Sequence, residues 1–125
     1  MIVVDSSGWL HYFMNGQVIE RYVPYLSKSS EILTPTVVVY EVFKKVKVTL
    51  GENTALSAAA MMGQTNLVPL TDEIAYFAVD IALDHKLSMA DAIIYATAKS
   101  HGAKLVTSDA DFKALPDVTY IPSEE

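Results

Sequence analysis

Short apolar runs alternate along the chain with longer segments whose apolar residues recur at helical spacing. The run Ile2-Val3-Val4 is rich in β-branched residues and predicts a buried strand. Residues 104–107 give the next clearest strand pattern, and weaker patterns predict strands at residues 31–33, 67–70 and 118–121. The polar and apolar positions therefore predict several short strands separated by helices.

Helix start and stop signals stand between the predicted strands. N-cap residues at positions 5–7 precede the apolar segment 9–13, and Thr34-Pro35 begins a helix with proline in its first turn. That helix runs to residue 50 and ends at Gly51. Further helices are predicted at residues 18–26, 53–63, 72–85 and 88–102. Alternating strands and helices predict an α/β fold, a three-layer sandwich with a short, mostly parallel sheet flanked by helices.

No repeat, linker or low-complexity tract interrupts this pattern, so residues 1–125 are expected to form a single domain. No segment approaches the length of about 18 apolar residues that a membrane span requires, and the chain has no cysteine. The lack of cysteine excludes thiolate zinc sites, thiol nucleophiles and disulfides. We expect a soluble, cytoplasmic protein that does not bind a membrane.

Four acidic residues occupy informative positions in this predicted fold. Asp5 follows the first strand and Asp109 follows the strand at residues 104–107. Asp91 lies near the start of its helix, and Glu41 lies about two turns into the helix that follows the second strand. Because sites in open parallel sheets form outside the carboxyl ends of the strands, we expect these acids to converge there.

Each acid also has an ordinary structural explanation. Asp5 can cap a helix, Asp91 fits a capping box after Ser88, and Asp109 can cap the turn that follows it. Glu41 can be a solvated helix residue, although its neighbours in the sequence are mostly apolar. If all four converge, however, their mutual repulsion requires a positive partner. Ligands that are all carboxylates favour hard cations such as Mg²⁺ or Mn²⁺.

The charge balance bears on the same question. The chain has 15 acidic and 9 basic residues, a net charge of −6, whereas a simple nucleic-acid binder is expected to be basic. Divalent cations held by the acids would reverse the local field. Carboxylate-held metal ions can clamp a phosphodiester and lower the pKa of a bound water, so no covalent nucleophile is needed. His11, His85 and His101 show no ligand spacing and are expected to be surface residues.

Four segments of the chain together resemble the motifs of the PIN-domain family, and within it the VapC-type toxins of prokaryotic toxin–antitoxin pairs. The family's four motifs occur here in order. They are a strand ending in Asp-Ser, a helix carrying the glutamate, the start of a later helix, and a strand followed by Ser-Asp. The segments are IVVDSS (2–7), TVVVYEV (36–42), LSMADAIIYATA (87–98) and KLVTSDADF (104–112). The third is the most specific match, and the resemblance spans essentially the whole chain.

The resemblance implies a Mg²⁺- or Mn²⁺-dependent endoribonuclease. Asp5, Glu41 and Asp91 would be metal ligands, with Asp109 completing the cluster directly or through water. Ser6 and Thr107 would hold those carboxylates by hydrogen bonds, and Asp111 would be a fifth acid beside the cluster. Family members commonly form homodimers and are inhibited by a cognate antitoxin that occupies the active-site groove. RNA substrate, antitoxin and a second copy of the chain are the implied partners.

Other interpretations remain open on the sequence alone. A PIN domain can process RNA without an antitoxin, and the apolar residues Trp9, Tyr12, Phe13 and Met14 beside Asp5 can be either a binding surface or core packing. A receiver-like signalling domain also combines an α/β fold with an acidic Mg²⁺ pocket. Its usual adjacent acids after the first strand and its late lysine are missing here. A silent binding module is the last alternative, although all four acids are present.

Overall fold

A five-stranded parallel sheet forms the centre of the protein in the computed structural model, which describes residues 1–124. The strands are β1 (Ile2–Val4), β2 (Ile32–Pro35), β3 (Asn66–Val68), β4 (Lys104–Thr107) and β5 (Val118–Tyr120). The helices are α1 (Ser6–Phe13), α2 (Ile19–Leu26), α3 (Thr36–Leu50), α4 (Glu52–Gly63), α5 (Asp72–His85) and α6 (Met89–Ser100). These helices flank the sheet, and the predicted α/β sandwich is confirmed.

The order of the strands creates a switch point beside β1. Across the sheet the order is β3-β2-β1-β4-β5, so the chain first builds outward from β1 through β2 to β3. It then crosses back to place β4 and β5 on the other side of β1. Ligand sites in open parallel sheets form at the carboxyl ends of strands where the order reverses in this way. The carboxyl ends of β1 and β4 are therefore the expected place for a site.

The two strands at this point are held by the hydrophobic core. Val3 and Val4 of β1 are fully buried, as is Leu105 of β4. The register pairs Val3 with Leu105 and Val4 with Val106, so the residues that follow both strands leave the sheet side by side. Strands that are buried on both faces are expected to be apolar, as are β1 and the central residues Leu105 and Val106 of β4. Core packing thereby fixes the position of the polar residues that follow.

The second strand is longer than the sequence predicted, and the prediction that Pro35 lies in the first turn of α3 is wrong. Pro35 is the last residue of β2, where it pairs with Val68, and α3 begins at Thr36. A residue before proline avoids helical conformation, which keeps Thr34 extended. Thr34 is also buried and shares a hydrogen bond with the Thr65 side chain. The third strand was predicted to include Pro69 and Leu70, but β3 ends earlier, at Val68.

Gly8 marks the closest approach between α1 and α2. A Cβ atom at Gly8 would lie 2.7 Å from Val4 Cγ1, 2.9 Å from Tyr22 Cδ1 and closer still to Tyr22 Cε1. Glycine to alanine inside a helix normally stabilises a protein by about 1 kcal/mol. We expect Gly8→Ala instead to lower the free energy of unfolding by about 1–3 kcal/mol, since the core must shift to accept the methyl group.

Urea denaturation measures this change, and Gly63→Ala at the end of α4 is the matched control. No atom lies within 4 Å of a Cβ built at Gly63. The control should therefore be neutral or stabilising. Equal urea midpoints for the two variants would show that α1 and α2 are not packed this closely.

Within residues 1–124, no helix has both the length and the apolar character needed to cross a membrane.

Candidate active site

Asp5 is the first residue after β1, and its backbone continues the pairing with β4. Its N–H donates to the Val106 carbonyl oxygen at 2.9 Å, which sets Asp5 beside Thr107. The Thr107 hydroxyl donates to Asp5 Oδ2 at 2.7 Å, and the Ser7 hydroxyl donates to the same oxygen at 3.1 Å. Asp5 stands at the N-cap position of α1, but its side chain makes no capping hydrogen bond there. Helix capping therefore does not explain this carboxylate.

Burial dominates the electrostatics of Asp5, whose exposed fraction is only 4%. Removal from water raises the pKa of the Asp5 carboxyl, and the nearby charge of Asp109 raises it further. The hydrogen bonds from Thr107 and Ser7 favour the charged form but do not cancel the effect of burial. A buried carboxylate in this position is destabilising unless a cation approaches it.

Glu41 reaches the site from α3. The buried valines of this helix, Val38, Val42 and Val46, recur every four residues and fix which side packs inward. Glu41 is partly buried beside this face, and its Oε1 accepts a hydrogen bond of 2.6 Å from the Ser6 hydroxyl. Since Ser6 follows Asp5 directly, this bond joins α3 to the end of β1. The predicted contact of Ser6 with a site carboxylate is thus present.

Three further acids lie close together at the same edge. Single carboxylate oxygens of Asp91, Asp109 and Asp111 all lie within 4.8 Å of one another. Asp109 Oδ1 accepts a 2.9 Å hydrogen bond from the Asp111 N–H, so Asp109 does cap the turn after β4, as its ordinary structural explanation requires. The Asp109 N–H in turn donates to Thr107 Oγ1 at 2.9 Å. One threonine hydroxyl therefore positions both Asp5 and Asp109.

Asp91 connects this group of three with Asp5 and Glu41. It lies in the first turn of α6, where its N–H donates to the Ser88 hydroxyl at 3.4 Å. Partial burial and then the charges of Asp109, Asp5 and Glu41 raise the pKa of Asp91 to about 6. Asp5 and Glu41 are thus near enough for their charges to act on Asp91, but among residues 1–124 the acids whose oxygens lie within 4.8 Å of one another are Asp91, Asp109 and Asp111. The structure leaves both Asp109 and Asp111 within reach of a shared cation.

The composition of this cluster fits a divalent cation. Within the described part of the chain, residues 1–124, the ion pairs are Lys47 with Glu52 and Lys99 with Asp117, and neither involves the cluster. The cluster therefore has carboxylate oxygens at short range and, among these residues, no basic side chain within ion-pair distance of them. Carboxylate ligands without nitrogen or sulfur favour hard cations. Burial first, and then the charges of neighbouring acids, raise the pKa values of Asp5 and Asp91, and no basic group lowers either value.

Comparison with known proteins identifies the family. The family model for the PIN domain matches residues 2–118. The chain belongs to the PIN domain family. The receiver-like alternative is therefore wrong. No match was found among curated proteins.

Solved structures share the fold of this PIN domain. A toxin–antitoxin complex from Klebsiella pneumoniae contains a chain that is 23% identical, with a TM-score of 0.83 and 100% of both chains covered. VapC20 of Mycobacterium tuberculosis, described as a Sarcin-Ricin loop cleaving toxin, is 21% identical, with a TM-score of 0.79 over 94% of this chain and 97% of that one. FitAcB from Neisseria gonorrhoeae is 22% identical, with a TM-score of 0.74 and 98% of each chain covered.

Sequence reasoning did not assign the hydroxyl groups that complete the support of the PIN-domain site. Ser7 donates to Asp5 and accepts a 3.0 Å hydrogen bond from the Ser108 N–H. The Ser108 hydroxyl shares a 2.6 Å hydrogen bond with the buried Tyr22 hydroxyl of α2. The position of Ser7, two residues after Asp5, could have indicated a hydrogen bond to the Asp5 carboxylate. Nothing in the sequence linked Tyr22 to a residue so far along the chain.

The apolar residues beside Asp5 pack mainly inward. Trp9 is 1% exposed and stacks on Phe13 at a centroid distance of 5.7 Å. Tyr12 and Phe13 are partly buried against the core. Of the two interpretations given for this segment, core packing is correct for Trp9, and it accounts for the buried portions of Tyr12 and Phe13.

Thr107 offers a test of how the site is held together. We expect Thr107→Val to reduce metal-dependent catalysis by about 10–100-fold, as is typical for residues that orient metal-binding carboxylates. The valine fills the same volume but leaves Asp5 without its shortest hydrogen bond and the Asp109 N–H without its acceptor. Turnover and the midpoint of metal titration measure the change. Thr107→Ser restores the hydroxyl and should recover most of the activity, which a purely packing role for the methyl group would not predict.

Proposed function

We propose that this PIN domain is a Mg²⁺- or Mn²⁺-dependent endoribonuclease and the toxin of a toxin–antitoxin pair. The single observation that supports it most directly is the grouping of Asp91, Asp109 and Asp111 within 4.8 Å of one another beside Asp5 and Glu41 at the switch point of the sheet, where within residues 1–124 none of these acids forms an ion pair. Such an arrangement is costly for the fold and suits a bound cation.

In this proposal Asp5, Glu41, Asp91 and Asp109 hold the cation, and Asp111 supports the cluster. When bound, a divalent cation supplies an activated water and stabilises charge on a phosphodiester. The protein's own residues fix the acids beforehand. Thr107 and Ser7 hold Asp5, and Ser6 holds Glu41. Asp91 is the acid whose pKa of about 6 lets it exchange its proton for the cation near neutral pH.

The proposed partners follow from the solved structures with the same fold. The Klebsiella pneumoniae structure is a toxin–antitoxin complex, and VapC20 is described as a toxin that cleaves the Sarcin-Ricin loop. For this chain we propose two partners, a cognate antitoxin and an RNA substrate. A homodimer is also proposed, since Val79, Leu83 and Met89 are exposed apolar side chains beside a 420 Å³ apolar cavity between α5 and α6. Sedimentation equilibrium tests the homodimer through the mass of the particle.

RNA cleavage by the purified protein tests the proposal. Total cellular RNA is incubated with Mg²⁺, with Mn²⁺ or with EDTA, and the 5′ ends of the products are mapped. We expect discrete internal cuts that require the cation and disappear with EDTA. Where a small gene adjoins this one, co-expression of its product should abolish the cuts if that product is the antitoxin. Discrete cuts that persist in EDTA would contradict the proposed chemistry.

A further inference from the structure

One face of α3 combines positive charge with an exposed aromatic ring directly beside the acidic cluster. Tyr40, Glu41, Lys44, Lys45 and Val48 line an open groove of 380 Å³. Their spacing of three and four residues places them on one side of the helix. Glu41 is the residue that Ser6 ties to the site, so the groove begins at the active site and extends along the helix. We call these five residues the α3 groove.

Apart from Glu41, the side chains of the α3 groove are exposed to solvent. Tyr40 is 63% exposed and Val48 is 80% exposed, so neither side chain packs into the core. Lys44 Nζ lies 5.6 Å from the centroid of the Tyr40 ring. In residues 1–124, neither Lys44 nor Lys45 takes part in an ion pair, whereas Lys47 on the same helix pairs with Glu52. Within these residues both lysine charges are therefore free of ion pairs, and the Tyr40 ring is open to solvent except where Lys44 lies over it.

An RNA strand is the occupant that this combination fits. Single-stranded nucleic acids bind where basic side chains follow the backbone and aromatic rings stack on bases. A chain with a net charge of −6 repels RNA in general, so local positive charge next to the cluster is where a strand can be retained. About one helical turn, a distance of about 5.4 Å, separates Glu41 from the two lysines. This distance is shorter than the electrostatic screening length of about 8 Å at physiological salt.

We infer that the α3 groove is a substrate subsite that holds the nucleotides next to the scissile phosphate. Lys44 and Lys45 contact phosphates of a single-stranded segment, and Tyr40 stacks on one of its bases. The inference rests on the proposed ribonuclease function and adds to it the path of the strand and the residues that position it. An unpaired segment is required, because a base inside a duplex offers no free face to Tyr40.

Steady-state kinetics on a single-stranded RNA that the wild-type protein cleaves provides the test. We expect Tyr40→Ala to raise KM by about fivefold or more, because base–aromatic stacking is worth about 1–3 kcal/mol. The effect on kcat should be much smaller, since the base stacks equally well in the ground and transition states. Tyr40→Phe keeps the ring, so its KM should stay close to the wild-type value. A merely structural role for the hydroxyl would instead raise KM in this variant too.

The lysines are tested by the salt dependence of binding. Short single-stranded polyadenylate is titrated against the cleavage-defective Asp5→Asn protein at several salt concentrations. Removing one lysine–phosphate interaction should reduce the slope of log K against log salt by about 0.7. We expect this reduction for Lys44→Gln and for Lys45→Gln. Lys104→Gln makes the same charge change at the start of β4, away from the carboxyl edge, and should leave the slope unaltered.

The outcomes separate this inference from the proposed function. If the wild-type protein cleaves RNA but Tyr40→Ala leaves KM unchanged and both groove lysine variants keep the wild-type salt slope, the α3 groove does not hold RNA. If KM stays unchanged while Lys44→Gln weakens inhibition by the antitoxin, the groove binds an acidic protein segment and the inference is overturned. Absence of metal-dependent cleavage by the wild-type protein would contradict the proposed function itself.

Discussion

Asp5→Asn is expected to remove RNA cleavage without unfolding the protein. The substitution keeps the size of the side chain and leaves an oxygen that can accept the hydrogen bonds of Thr107 and Ser7. It removes the one carboxylate that is almost completely buried at the end of β1. We expect at least about 100-fold loss of activity, because residues that merely orient metal ligands already contribute about 10–100-fold.

The sign of the stability change separates this interpretation from damage to the fold. Burial raises the pKa of Asp5 above its unfolded value, so its charged form destabilises the folded state at neutral pH. That penalty appears as the pH rises above the unfolded pKa. Asparagine carries no charge, and we expect the variant to melt at the same or a higher temperature than the wild-type protein in EDTA.

A matched exposed acid gives the control. Asp84→Asn makes the same chemical change at an exposed position near the end of α5 and should keep both cleavage and melting temperature close to wild type. Calorimetry in EDTA and RNA cleavage in Mn²⁺ measure the two properties on the same samples. Cleavage by the Asp5→Asn protein at the wild-type rate would rule out this carboxylate as a ligand.

The sequence was sufficient to predict the fold because local and global signals agree. β1 and the centre of β4 are apolar, and the helices between them have start and stop residues that match their ends closely. Pro35 misled because a proline is compatible with both the first turn of a helix and the last residue of a strand. The choice between them depends on the Thr34–Thr65 hydrogen bond, which joins segments that are distant in sequence.

The acids of the site could also be predicted, since their positions follow from strand ends and from the resemblance to the family. The sequence could not predict the network of hydroxyl groups whose hydrogen bonds hold these acids in place. Ser108 and Tyr22 meet only because α2 packs beside the carboxyl end of β4. The choice between Asp109 and Asp111 likewise depends on the turn after β4, which brings both carboxylates within reach of Asp91.

Asp91 should make the stability of the protein depend on both pH and divalent cation. Its pKa is about 6 in the folded protein against 3.8 for the ordinary group. The folded state therefore binds the extra proton, and the free energy of unfolding in EDTA should fall as the pH rises from about 4 to 6. Because Asp91 is partly exposed, solvent screening limits this contribution to about 1 kcal/mol.

Bound cation should reverse this loss above the folded pKa. A ligand present at about 100 times its dissociation constant stabilises the folded state by about 2.7 kcal/mol. We therefore expect Mg²⁺ or Mn²⁺ to raise the melting temperature of the wild-type protein at about pH 7.5, and to raise it much less at about pH 5, where Asp91 keeps its proton. Binding near pH 6 should release protons, which calorimetry in buffers of different ionisation enthalpy detects.

Asp91→Asn links the two effects to one residue. The variant should melt above the wild-type protein in EDTA at about pH 7.5, lose most of its response to cation and show a weaker decrease in stability between about pH 4 and 6. Asp72→Asn, at the exposed start of α5, is the control and should retain the full response. If the Asp91→Asn protein were stabilised by Mn²⁺ as strongly as the wild type, the cation would be held without Asp91. Destabilisation of the same variant in EDTA would instead show that its carboxylate supports the fold, contrary to the repulsion that raises its pKa.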